Sequence, residues 1–116
     1  MLALALSLLA LTLTPPAPKP PVISPEEAGQ HLEQHVIVRG TVSQVVVTDN
    51  LTTHVHFGGI YPNQVFTITF FKAQQAEFPG VRDYEGKVVE AEGVIHIARK
   101  KPEMLVIRKN QMRVVE

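Results

Sequence analysis

Three consecutive cations, Arg99, Lys100 and Lys101, carry the strongest chemical signal in this sequence. Presented together at a turn, such side chains can track a phosphate backbone, and each phosphate they neutralise adds a salt-dependent increment of binding. Charge is segregated around them. Between Val22 and Ala98 four basic residues face nine acidic ones, whereas between Arg99 and Arg113 six basic residues face Glu103 alone. Arg108 belongs to that basic segment, and Arg39 is a further cationic candidate from the acidic body. The formal net charge is zero, so the bulk field of a dedicated nucleic-acid binder is missing. A solvated hairpin tip would carry the same residues without any ligand.

The second signal is His54-x-His56. On a strand, residues two apart point to the same face, so two imidazoles stand side by side, and His96 or Glu92 from another strand would be needed to complete a metal site. The pair alone is a weak metal signal, and neither a metal nor another cofactor is expected. Catalysis has little support: there is no phosphate-cradling glycine loop and no nucleophile signature. Glu90 and Glu92 follow from the alternation of an exposed strand. The absence of cysteine removes disulfides, thiolate metal sites and cysteine nucleophiles together. No enzyme activity is expected.

These residues need elements to hold them. Ser24-Pro25-Glu26-Glu27 has the cap, first-turn proline and third-position acid of a helix start, which predicts a short helix to about Glu33. Val36 to Thr48 is β-branched and predicts a long strand bent at Gly40. His54-Val55-His56-Phe57 and Phe66-Thr67-Ile68-Thr69-Phe70 alternate as a hairpin, with the phenylalanines and Ile68 inward and His54, His56, Thr67 and Thr69 outward. Lys72 to Phe78 has helical composition and ends at Pro79-Gly80. Lys87 to Ala98 predicts a fourth strand kinked at Gly93, and Met104 to Ile107 a fifth. Three strands, a helix, then two strands is the order of a five-stranded OB-fold barrel, mainly β, with an additional short N-terminal helix. The alternation predicts a core of Val36, Val38, Val42, Phe57, Phe66, Ile68, Phe70, Val89, Ile95 and Ile97.

The run Tyr61-Pro62-Asn63-Gln64-Val65-Phe66-Thr67, with Gly86-Lys87-Val88-Val89, Gly93-Val94-Ile95 and Lys101-Pro102-Glu103-Met104, resembles the small bacterial OB-fold proteins related to the nucleic-acid-binding OB group. The likeness runs from about Ser24 to Val115. It implies binding across strands two and three and the loops beside them, with the cationic loop between strands four and five as one wall. Those proteins often carry an aromatic and a glycine before the fifth strand. Here Ala98-Arg99-Lys100-Lys101 stands instead, leaving Tyr61 and Phe71 as the candidate packing contacts.

Leu2 to Leu13 is apolar apart from Ser7 and Thr12, the length of a signal-peptide core and short of the roughly 20 residues that span a bilayer. Five prolines from Pro15 to Pro21 follow as a stiff spacer. The organisation expected is a leader and proline-rich linker over residues 1–21 and one binding domain over residues 22–116. Export to the periplasm or cell envelope is expected, with any membrane contact through the N-terminal segment alone. The partner expected is single-stranded nucleic acid or another polyanion, held by Arg99, Lys100, Lys101, Arg108 and Arg39 with Tyr61 and Phe71. The alternative is an envelope module whose polar face meets a protein or a small ligand.

Overall fold

Alternating side chains and one irregular strand organise the chain from Pro18 onward; the computed structural model describes residues 18–116. The leader and the start of the proline-rich spacer lie outside these residues. No described helix is long and apolar enough to cross a membrane.

Seven strands form: β1 (Val22–Ile23), β2 (His35–Val47), β3 (Thr53–Phe57), β4 (Phe66–Phe70), β5 (Val88–Ala98), β6 (Lys101–Leu105) and β7 (Met112–Val114). Five of them pair round in a ring. Strand β2 runs antiparallel to β3, β3 to β4, β6 to β5 and β5 back to β2, while β4 and β6 pair in parallel. This mainly β ring is OB-like. The short β1 and β7 add to its rim, pairing with β2 and β5.

Strand β2 can serve both halves of the ring because it changes partner. Its residues His35 to Thr41 pair with β5, and from Val42 to Val47 it pairs with β3, with a register irregularity between Val42 and Gln44. The bend expected at Gly40 therefore falls at Ser43, whose hydroxyl oxygen lies 2.9 Å from the His56 carbonyl and 2.6 Å from the Gly59 carbonyl. Gly40 has a different task. A Cβ there would come within 2.4 Å of Pro25 Cγ, so glycine lets the Pro25 ring pack against β2.

The two expected helices are 3-10 helices, at Pro25–Gln30 and Lys72–Glu77, and a further 3-10 turn that was not expected, Val81–Tyr84, follows Pro79-Gly80. Segments of four to six residues cannot repay the cost of an α-helical nucleus. The Glu27 carboxylate does accept from the Ser24 N–H, at 2.8 Å, as the capping pattern predicts.

Val36, Val38, Val42, Phe57, Phe66, Ile68, Phe70, Val89 and Ile95 are all buried, joined by Val55, Met104 and Val106. Ile97 departs from expectation at 49% exposed. Its strand phase is the inward one, but it pairs with Pro102 near the tip of the β5–β6 hairpin, beyond the layer that covers Ile95. Phe66→Ala should therefore cost about 3–5 kcal/mol for loss of a buried ring, and Ile97→Ala less than about 1 kcal/mol for a partly exposed side chain. Urea unfolding of both variants checks the difference.

Candidate functional site

On the outer face of β3 and β4, period-two alternation sets His54, His56, Thr67 and Thr69 in a polar layer. Most of that layer is withdrawn from solvent, with His54 half-buried. His56, Thr67 and Thr69 are buried, because the β5–β6 hairpin and the Tyr61-Pro62-Asn63-Gln64 loop rise on either side and make the layer the floor of a groove. A cavity of about 490 Å³ lies between Tyr61, Gln44, Gln64, Lys101 and Arg99. A more open stretch continues over His54, Thr69 and Arg99 to Phe71.

The floor is held by side-chain hydrogen bonds across the strand pairs. His56 Nδ1 meets Thr67 Oγ1 at 2.8 Å and His54 Nδ1 meets Thr69 Oγ1 at 3.0 Å. The two rings are nearly parallel, 6° apart, with centroids separated by 5.9 Å. Tyr61, itself 62% exposed, leans over His56 at 6.2 Å. Thr69 also donates to Glu103 at 2.8 Å, and the other Glu103 oxygen lies 3.4 Å from His96.

Burial is the main cause that lowers both imidazoles, since it disfavours the charged form. For His56, burial, then His54, then the Arg99 and Lys101 cations hold the pKa down to about 4. His54 is lowered by burial and Arg99, with Glu103 opposing. The cationic field that keeps these rings neutral also disfavours a metal cation between them. Among the described residues, no group of three or more histidine and acidic side chains comes together to hold one, and Glu92 is drawn away to His35 at 2.9 Å.

The cationic triplet divides into three roles. Ala98 pairs with Lys101, so the connection is a two-residue turn and Lys101 starts β6 rather than lying in the loop. Arg99 and Lys100 adopt positive φ, 52° and 71°, the conformation that such a tight hairpin demands and that L-residues adopt at some cost. Arg99 lines both stretches of the groove, whereas Lys100 lines neither. Lys101 donates to the Pro62 and Gln64 carbonyls, the second at 2.8 Å, and so braces the facing loop.

The remaining candidates divide by position. Tyr61 and Phe71 line the two stretches of the groove. Arg39 is elsewhere on β2, paired with Glu90 at 2.9 Å, and Arg113 holds the same carboxylate at 2.6 Å. Arg108 lines a separate depression with His35 and Gln111. Sequence reasoning passed over Gln44, Gln64, Thr48 and Glu103 as groove residues. The lone acid inside the basic segment was the available signal for Glu103.

No protein-family model matches the chain, and no curated protein matches it in sequence. Solved structures do match. A provisionally assigned aspartyl-tRNA synthetase from Leishmania major superposes with a TM-score of 0.57 at 10% identity, over 92% of this chain and 23% of that one. The hypothetical protein YgiW from E. coli superposes at 0.50 with 19% identity, over 86% of this chain and all of the other. A provisionally assigned nucleic acid-binding lipoprotein from Klebsiella pneumoniae gives 0.44 at 17% identity, over 79% of each chain. At these identities the first two likenesses concern the fold, and they agree with the OB-like ring.

The depressed imidazoles tie stability to pH. A histidine whose folded pKa lies below its ordinary value takes up a proton on unfolding, so its stabilisation is complete above about pH 6.5 and declines as pH falls towards about 4. Urea midpoints should fall between pH 6.5 and 4.5, with a slope approaching about 1.4 kcal/mol per pH unit for each proton fully taken up. His56→Gln should flatten that slope.

Proposed function

We propose that the protein is a non-catalytic binding module, its five-strand ring serving as an OB barrel, that holds single-stranded nucleic acid or another polyanion along the groove between Tyr61 and Phe71. The observation that carries this reading is the placement of Arg99. A turn with two positive-φ residues sets its guanidinium beside both stretches of the groove, where a chain of phosphates passing from one to the other meets it. Tyr61 and Phe71, both exposed, supply flat surfaces, and base stacking on such surfaces tolerates any sequence.

Lys100 and Lys101 contribute differently in this reading. Lys100 strengthens the field at the tip, and Lys101 acts by bracing the Pro62–Gln64 wall. Arg39 and Arg108 stand outside the groove and add at most long-range attraction. Export of the domain from the cytoplasm completes the proposal; its support is the apolar run from Leu2 to Leu13. The rival is a small-ligand or envelope-partner module, and the 490 Å³ cavity, within the range of small-molecule pockets, is what favours it.

Fluorescence anisotropy with a labelled single strand, repeated across salt concentrations, tests the reading. Wild type should bind at low salt, and Arg99→Ala should weaken binding and reduce the salt slope by about 0.7, the value for one phosphate on a single strand. Lys100→Ala should have the smaller effect. Undetectable wild-type binding at low salt would remove the strand and leave the small-ligand module.

A further inference from the structure

The hydrogen bonds beneath the groove determine which nitrogen of His54 carries its proton. Glu103, only 8% exposed, accepts from the Thr69 hydroxyl at 2.8 Å. A hydroxyl has one proton, so once it is given to the carboxylate the Thr69 oxygen can only accept from His54, whose Nδ1 lies 3.0 Å away. The proton therefore sits on Nδ1. A neutral ring then presents a lone pair at Nε2, which has no hydrogen-bond partner among the described residues, and His54 lines both stretches of the groove.

A second acceptor stands nearby. Gln64 lines the same groove, is 8% exposed, and its Oε1 is buried without a hydrogen-bond partner. Buried acceptors left unmet are costly, so a ligand that brings a donor gains what the free protein lacks. A polyphosphate chain, anionic and without bases, brings none along its length. Against it the groove offers the Arg99 guanidinium, since Lys101 is committed to the backbone carbonyls of the facing loop.

We propose that His54 is a specificity-determining residue whose Nε2 accepts a hydrogen bond from a base N–H of the bound strand, so that the groove selects base-bearing single strands over base-free polyanions. Thr69 and Glu103 are positioning residues, acting on the ligand through the ring they orient. This rests on the strand-binding reading above. It goes further in naming the base edge, and not the phosphate alone, as what the site recognises. The lowered pKa of His54 keeps the ring in its neutral, accepting form near pH 7.

The probe is oligothymidylate against the same strand built from N3-methylthymidine, because thymine has a single N–H and the methyl group removes it while leaving charge and stacking surface. Wild type should bind the methylated strand about tenfold more weakly, and inorganic polyphosphate more weakly still. His54→Phe, which retains a flat ring without the lone pair, should bind the two strands within about twofold of each other. Thr69→Val should also lose discrimination while keeping the imidazole. Nitrogen-15 spectra of the wild-type protein should show His54 Nε2 as an unprotonated nitrogen that moves towards the hydrogen-bonded range when oligothymidylate is added. Equal wild-type binding of the two strands, or a protonated Nε2 in the free protein, overturns the inference and leaves strand binding through Arg99 intact. Binding to neither strand overturns both. Should His54→Phe fail to fold, the wild-type comparison and the nitrogen spectra still decide the outcome.

Discussion

The structure depends on strands that change partner along their length, β5 passing from β2 to β6 and β2 from β5 to β3. Strand β2 is 13 residues long and must leave β5 and take up β3 without orphaning backbone groups at the change of partner. Ser43 sits at that point, and its hydroxyl reaches the His56 carbonyl on the strand about to be joined and the Gly59 carbonyl in the turn beyond it. A bulge adds local twist to a strand, which is what closing a small ring requires. The same contact sets where β3 ends and the Gly58-Gly59 turn begins. The positions of the loop bearing Tyr61 and of the groove wall follow from it.

Both faces of the β3–β4 pair are buried, and they are buried by different means. The inner face carries Val55, Phe57, Phe66, Ile68 and Phe70 and is stabilised by removal of apolar surface from water. The outer face carries imidazoles and hydroxyls, whose burial is acceptable because they bond to one another and to Glu103. Those bonds occupy the Nδ1 side of each ring and leave the Nε2 side to the groove. Arg99 at the rim and neutral rings below are the cation and the acceptors that the proposed strand would meet.

Legibility followed periodicity. Alternation in Val36 to Val42 and in Phe66 to Phe70 identified the core residues correctly, because side-chain direction on a strand is a local property. It failed at Ile97, where direction was right but depth was wrong, since depth depends on how far a hairpin projects beyond its neighbours. The expected bend at Gly40 was misplaced for a related reason. Glycine is needed both for bends and for close approach, and here Pro25 packs against it from a segment 15 residues earlier. Helical composition in Lys72 to Phe78 was legible, but the tighter 3-10 geometry was not.

For the site, residue types and local spacing determined that a basic turn would follow a long strand, that His54 and His56 would share a face, and that this face would be polar. These follow from charge, from the two-residue strand period and from turn chemistry, all readable along the chain. Tertiary structure alone decided that Arg99 lines the groove while Lys101 braces a loop 37 residues away, that Arg39 is held by Glu90, and that the polar face lies at the bottom of a groove. It also linked His54, through Thr69, to a carboxylate 49 positions further along the sequence. Long-range pairing, above all the parallel contact of β4 with β6, brings these groups together, and no local pattern specifies which partner a strand will meet.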